Sequence, residues 1–235
     1  MKISFRNRVL FTIFCATLIC TIAAVFVAKA RIRHQGEDAL IDKSKAILSR
    51  LEIGRKYVAD MGTLKGKIDE AKEKFPDGKI SEEMKSQILK SVPVYAAFKL
   101  GEEGAEKEHY RFRVFSDKPR NLNNQANEQE SRWYSRFRSE PSLEEIVEVA
   151  QDYSSITVVR PVKLTQNCLA CHGHPSTSPW GNGKDVLGIQ MENMKEGDLK
   201  GAFAVISSLA PVKASTDEAT TQILIWSGGF DRRAF

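Results

Sequence analysis

Two of the four cysteines and two of the four histidines lie within seven consecutive residues that begin at Cys168. Residues 168–172 read CLACH and have the spacing C-x-x-C-H, which attaches haem in c-type cytochromes. The two thiols can form thioethers to the vinyl groups of one haem, and the adjacent imidazole can become an axial ligand of its iron. We therefore predict one covalent haem c per chain, with Cys168 and Cys171 as attachment sites and His172 as iron ligand.

Three other chemistries use a C-x-x-C pair. A zinc site usually needs a second pair of ligands, and the remaining cysteines, Cys15 and Cys20, lie in an apolar N-terminal run. A thioredoxin-like redox pair is expected at a strand-to-helix junction of an α/β fold, which this sequence pattern does not show. The histidine next to the second cysteine favours haem, and a disulfide is the remaining alternative.

The second axial position of the iron needs a residue remote from the motif, water or a small exogenous ligand. His174 follows His172 too closely to reach the opposite haem face, and we interpret it as a loop residue. Met61 lies on an apolar helical stripe, where it would raise the haem potential as a ligand or serve as ordinary core packing. His109 is a second candidate, although a surface position would be more usual for it.

Buried haem propionates need cationic partners. Guanidinium and ammonium groups supply charge-assisted hydrogen bonds to carboxylates. The candidate cations are Arg111, Arg113, Arg120 and Lys184. Each of them could instead be a solvated surface charge.

An uncharged run of 20 residues, from Val9 to Ala28, is long enough to cross a membrane as a helix. It follows basic residues, and Ala28-Lys29-Ala30 offers a small-x-small cleavage pattern typical of a signal peptide. The apolar core of a signal peptide usually stops at about 15 residues, which favours an uncleaved anchor. Basic residues flank both ends of the run, so charge alone does not set its orientation.

The residues between Glu37 and Ala71 contain few helix breakers. Apolar or small residues recur there at spacings of four and three, at Ile47, Leu51, Gly54, Val58 and Met61. This period predicts a long amphipathic helix that leaves the membrane. Its stripe could pack on a sheet or on a second copy of the chain.

Shorter elements follow this helix. A capped helix is predicted from Ser81 to Leu89. Further helices are predicted at Arg132–Arg138 and Leu143–Ala150. Strands are predicted at Val94–Leu100, Tyr110–Phe115, Ile156–Val162, Val186–Met191 and Ala202–Ser207. Strands that arrive after one long helix, with irregular connections, predict an α+β domain with one antiparallel sheet.

Several segments in a fixed order resemble the haem-c, PAS-like periplasmic sensor family. They are YRFRV at 110–114, PRN at 119–121, RPV at 160–162, CLACH at 168–172, GNGKD at 181–185 and EGDLKGAF at 196–203. The resemblance covers roughly residues 40–212. Members of this family commonly form the sensory module of methyl-accepting chemotaxis receptors and sensor histidine kinases.

The resemblance implies a PAS-like antiparallel sheet flanked by helices, with one haem and a signal passed along membrane-proximal helices. By matching position, Cys168 and Cys171 are the thioether sites and His172 is the proximal ligand. In some relatives a cysteine occupies the distal side of the haem, opposite the proximal histidine. Every cysteine in this chain lies in the N-terminal run or the motif. No HAMP, kinase or chemotaxis signalling region follows Pro211.

Three segments are therefore predicted along the chain. Residues 1–33 would form a cytoplasmic tip and transmembrane anchor, or a signal peptide. Residues 34–215 would form the haem-c PAS-like sensor domain, and residues 216–235 the start of a truncated second membrane-proximal helix. Attachment of c-type haem outside the bacterial inner membrane, as the family implies, places the domain in the periplasm.

The predicted function is a single-pass, membrane-anchored sensor that responds to redox state or to NO, CO or O2, in signal transduction or chemotaxis. A homodimer is expected. The alternatives are a membrane-tethered monohaem cytochrome for electron transfer and a truncated chemoreceptor remnant. The net charge is +5 without a long basic stripe or nucleic-acid motif, which argues against nucleic-acid binding. The absence of hydrolytic motifs gives little reason to expect an enzyme.

Overall fold

A four-stranded antiparallel sheet in the order β1-β4-β3-β2 organises the chain. The computed structural model describes residues 4–228. The strands are β1 (Tyr110–Phe115), β2 (Ile146–Val149), β3 (Ser155–Lys163) and β4 (Leu199–Ser208). The helices are α1 (Phe5–Asp60), α2 (Thr63–Lys74), α3 (Glu82–Lys90), α4 (Pro93–Glu102), α5 (Glu128–Ser139), α6 (Leu169–His172) and α7 (Ala210–Gly228). The predicted α+β fold, with an antiparallel sheet flanked by helices, is confirmed.

Helix α1 is continuous over 56 residues, from the apolar run into the folded domain. Its most apolar 18-residue window has a mean hydropathy of 2.6 and is not buried. Length and composition alone would let this segment cross a membrane, and a signal sequence near the N-terminus has the same character. The predicted long helix ends earlier than expected, because Gly62 adopts a left-handed φ of 70° and separates α1 from α2.

The part of α1 that follows the apolar run packs on one face of the sheet. Ser44, Leu48 and Leu51 are its buried residues, at helical spacings of four and three. Leu48 and Leu51 share an apolar cluster with Phe203 on β4 and residues of β3 and α4. The buried stripe therefore includes Leu51, as predicted, but it is rotated away from the predicted position of Met61.

The other face of the sheet is covered by α5. An Asn127 and Glu130 capping box begins this helix, and its aromatic side chains pack on Phe115 and Val159. Neighbouring residues on one strand thus enter different clusters: Val158 faces α1 and Val159 faces α5. Because both faces are covered, the central strands are apolar on both sides.

Three predicted elements are wrong. The predicted strand 94–100 is helix α4, which begins with Pro93 in its first turn and buries Ala97 and Gly101 four residues apart. The predicted helix 143–150 contains strand β2, which pairs with β3. The predicted strand 186–191 is irregular, because the Asp185 carboxylate accepts backbone N–H groups from Leu187 and Ile189 and folds the segment into a turn.

Helix α7 runs back alongside α1. A Cβ atom at Gly36 would lie 2.6 Å from Val212 Cγ1, so the two helices approach closely at this glycine. Lys29 and Asp217 form an ion pair at 3.5 Å farther toward the apolar run. Residues 216–228 of the predicted C-terminal segment are helical. Residues 229–235, like residues 1–3 of the predicted N-terminal segment, lie outside the described residues.

Gly101 offers a test of the contact between α4 and β1. A Cβ atom there would overlap the Phe112 ring, so Gly101→Ala should destabilise the protein by about 1–3 kcal/mol. Gly66→Ala is the matched control, because a Cβ atom in α2 would meet nothing and should stabilise the helix by about 1 kcal/mol. Urea unfolding of the full chain in detergent measures both changes. Equal effects of the two substitutions would contradict this packing.

Candidate functional site

The C-x-x-C-H motif lies just beyond the end of β3. The chain leaves β3 at Lys163, forms a 3-10 turn at Gln166–Cys168 and continues into α6, which ends with His172. Cys171 is buried, whereas Cys168 and His172 are half-buried. The 3-10 turn and α6 together therefore present both thiols and the imidazole at one end of the sheet.

These three side chains line a cavity of about 560 Å³. Its long wall is formed by α1 from Ser49 to Asp60, a distance of about 16 Å along the helix axis. Apolar lining comes from α1, the start of α4, the end of β3 and the residue that follows β3, with Ile53, Val94, Val162 and Leu164. The motif thus opens onto a largely apolar space bounded by the helix that carries the N-terminal apolar run.

The His172 ring is oriented by a carboxylate. Its Nδ1 atom lies 2.5 Å from Glu192 Oε2, and its Nε2 atom has no hydrogen-bond partner within residues 4–228. Burial raises the pKa of Glu192, but hydrogen bonds from His172 and Lys200 outweigh burial and hold that pKa at about 2. The ionised carboxylate therefore occupies one ring nitrogen and leaves the other available to a ligand in the cavity.

Arg120 connects the backbone of the motif to two carboxylates. Its guanidinium pairs with Asp185, donates from Nη2 to the Cys171 carbonyl at 2.6 Å and donates from Nε to Glu192 at 3.2 Å. Asp185 is fully buried. Burial alone would lower the pKa of Arg120, but the Asp185 carboxylate raises it above its ordinary value. The predicted candidate Arg120 thus lies at the site, where it binds protein groups.

The structure does not bring Arg111 and Arg113 to the cavity. Arg113 pairs with Glu130 at 2.9 Å and donates to two loop carbonyls, while Arg111 is exposed. Side chains alternate along β1, so these arginines project from the α5 side while Phe112 faces α1. The cavity lies on the α1 side. The predicted Lys184 is exposed in a loop and also lies outside the cavity lining.

The two predicted distal ligands are also absent from the lining. Met61 caps the C-terminal end of α1 and is 61% exposed, although its neighbours Ala59 and Asp60 line the cavity. His109 precedes β1 at the opposite end of the sheet from the motif. His174 caps the next 3-10 turn through Ser176, as expected for a loop residue.

Sequence reasoning missed three cations of the lining, Arg55 and Lys56 on α1 and Lys200 on β4. Lys200 pairs with Glu192 at 2.9 Å, whereas Arg55 and Lys56 have no ion-pair partner among residues 4–228. The nearby Glu52 pairs with Arg160 at 3.3 Å. Asp185 and Glu192 were missed as well. Asp185 lies in the GNGKD segment that resembles the sensor family, but no local signal marks Glu192.

A family model described as Tll0287-like matches residues 33–208 of the chain. Among solved structures, the crystal structure of the cyanobacterial heme-protein Tll0287 is similar, with a TM-score of 0.51 and 17% sequence identity. The alignment covers 72% of this chain and 95% of that chain. No curated protein matches. At this identity the structural similarity shows the fold alone, and the connection to chemoreceptors and histidine kinases stays a prediction.

The Arg120–Asp185 pair can be tested by breaking it. Arg120→Ala leaves the buried Asp185 carboxylate unpaired, which should lower the free energy of unfolding by about 3–5 kcal/mol. Arg132→Ala is the control, because Arg132 pairs with Glu128 on the surface and should cost about 0–1 kcal/mol. Both values come from urea titrations of the haem-free protein. Similar losses in the two variants would refute the special role of Arg120.

The two motif thiols should differ in reactivity before any haem is attached. Burial, followed by the nearby Asp185 carboxylate, raises the pKa of Cys171 to about 12. Because the thiolate is the nucleophile, iodoacetamide at pH 8 should alkylate Cys168 at least about tenfold faster than Cys171. Peptide mass spectrometry measures both rates. The difference should vanish in urea, and equal rates in the folded protein would contradict the prediction.

Proposed function

The chain belongs to the Tll0287-like family, and from this premise we propose that it is a membrane-anchored, haem-c-binding sensor domain. The similar solved protein, Tll0287, is described as a heme-protein. In this chain, residues Cys168, Cys171 and His172 would hold the haem. A bound haem supplies a redox-active iron with two axial positions.

The observation that carries the proposal is the placement of the whole motif on one cavity wall. Both thiols and the imidazole line the same space of about 560 Å³, within the usual range of about 300–1,000 Å³ for cofactor pockets. Glu192 occupies His172 Nδ1, so Nε2 is the ring atom available to iron. The donor set and the apolar lining therefore fit a c-type haem.

The cavity also supplies cations for the haem propionates. Arg55 and Lys56 line it without an ion-pair partner in the described chain, so a bound carboxylate would compensate their charges. We propose these two residues in place of Arg111 and Arg113. If haem is attached at the motif, residues 49–60 of α1 would line the rest of its site.

Sensing is favoured over electron transfer by the composition of the cavity wall. Apart from the motif, the described residues that line the cavity include no imidazole, thioether or thiol. An electron-transfer haem commonly has two strong protein ligands, such as His and Met. We therefore propose that the second axial position takes water or a small ligand such as NO, CO or O2.

Helix α1 offers a direct route for the signal. Its residues 49–60 form the long wall of the cavity, and the same helix contains the apolar run. A change at the haem that favours one position of α1 would thus be felt at the membrane. We propose a periplasmic domain, since c-type haem is attached there, and a regulatory role without catalysis. A homodimer and a link to chemotaxis stay predictions.

The proposal is tested with the full chain produced alongside a c-type haem maturation system. The pyridine haemochrome should show the c-type spectrum, and mass spectrometry should show one haem per chain. The reduced protein should bind CO. Replacing both Cys168 and Cys171 with Ser should abolish covalent attachment, whereas Met61→Ala should leave the spectrum unchanged.

Each result excludes one alternative. A wild-type protein without covalent haem would overturn the proposal, because the motif would then serve another purpose. A reduced protein that retains haem but does not bind CO would favour the electron-transfer alternative. A spectral change in Met61→Ala would indicate that Met61 is a ligand of the iron.

A further inference from the structure

The two carboxylate oxygens of Glu192 have different partners. Within residues 4–228, the hydrogen-bond partner of Oε2 is the Nδ1 atom of His172, at 2.5 Å. Oε1 accepts hydrogen bonds from Lys200 Nζ at 2.9 Å and from Arg120 Nε at 3.2 Å. One oxygen is thus reserved for the imidazole, and the two cations hold the other in place.

The backbone next to Glu192 also fixes its distance from His172. Met194 N–H donates to the His172 carbonyl at 2.9 Å, and Asn193 N–H donates to the Gly173 carbonyl at 3.0 Å. Asn193 adopts a positive φ of 55°, which asparagine tolerates better than most residues. The segment 192–194 is therefore tied to the end of α6 by main-chain bonds as well as by the side chain.

The cations that hold Glu192 are themselves anchored. Lys200 Nζ also donates to the Lys118 carbonyl at 3.1 Å, and Arg120 is fixed by the buried Asp185. Glu192 thus has two fixed cationic neighbours, and its side chain is only 27% exposed. The contact between Glu192 and His172 therefore belongs to a preorganised network rather than to two freely moving surface side chains.

We propose that Glu192 is a positioning residue for the axial ligand, which fixes the His172 ring and sets its donor strength toward a bound iron. A carboxylate that accepts the Nδ1 proton raises the basicity of Nε2 and selects its tautomer. A more basic axial ligand stabilises the ferric state and lowers the reduction potential. This inference rests on the proposed function, and Glu192 is the residue that would set the reduction potential of the bound haem.

The test compares Glu192→Gln and Glu192→Asp with the wild-type holoprotein by redox titration of the full chain. Glu192→Gln removes the charge but keeps the size of the side chain. Glu192→Asp keeps the charge but moves it away from Nδ1 by one methylene. We expect both variants to raise the ferrous-to-ferric ratio at a fixed ambient potential by about tenfold, about 59 mV for one electron.

Glu52→Gln is the matched control. It removes a carboxylate that lines the cavity, but Glu52 pairs with Arg160 and does not contact His172. Its shift should be clearly smaller than that of Glu192→Gln. The iron–histidine stretching frequency of the reduced protein should fall in both Glu192 variants and stay constant in Glu52→Gln.

The outcomes separate this inference from the proposed function. Covalent haem in every variant, with equal shifts in Glu192→Gln and Glu52→Gln, would overturn the positioning role and leave the haem assignment intact. An unchanged potential in Glu192→Asp would assign the effect to charge alone and would also overturn it. A wild-type chain without haem would overturn both proposals.

Discussion

The buried ion pair between Arg120 and Asp185 joins the connection after β1 to the segment that contains the motif and the loop after it. Asp185 shapes the loop after the motif, and Arg120, in the connection after β1, reaches both the Cys171 carbonyl and Glu192. Breaking such a pair is costly because an isolated buried charge has no compensation. The geometry of the motif therefore depends on a pair that makes no contact with the cavity itself.

What could be predicted from the sequence was mostly local. The motif is recognisable because its three chemical groups lie within five residues, and strand β1 alternates clearly. Short apolar runs were ambiguous: the period of residues 94–100 fits a strand or a buried helix, and the structure has a helix with Pro93 in its first turn. Alternation also separated the two faces of β1, but it could not show which face would border the cavity.

The remaining residues of the site could be identified only from the three-dimensional structure. Glu192 follows His172 by 20 residues, and Arg55 precedes the motif by more than a hundred. No period or spacing links such positions, because the turn at Asp185 and the packing of α1 on the sheet bring them together. Met61 shows the same limit, since the buried face of α1 is rotated relative to the predicted stripe and Met61, next to the left-handed Gly62, is exposed.

The continuity of α1 has a mechanical consequence. Its 56 residues extend about 84 Å without proline or glycine-induced breaks, although Gly36 and Gly54 lie within it. A helix without a kink does not absorb displacement at a hinge. A small rotation or translation imposed beside the cavity can therefore travel along this rod toward the apolar run. The contacts between these two ends, with α7 at Gly36 and in the ion pairs of Lys43 with Glu108 and Lys45 with Glu145, set where the rod can pivot.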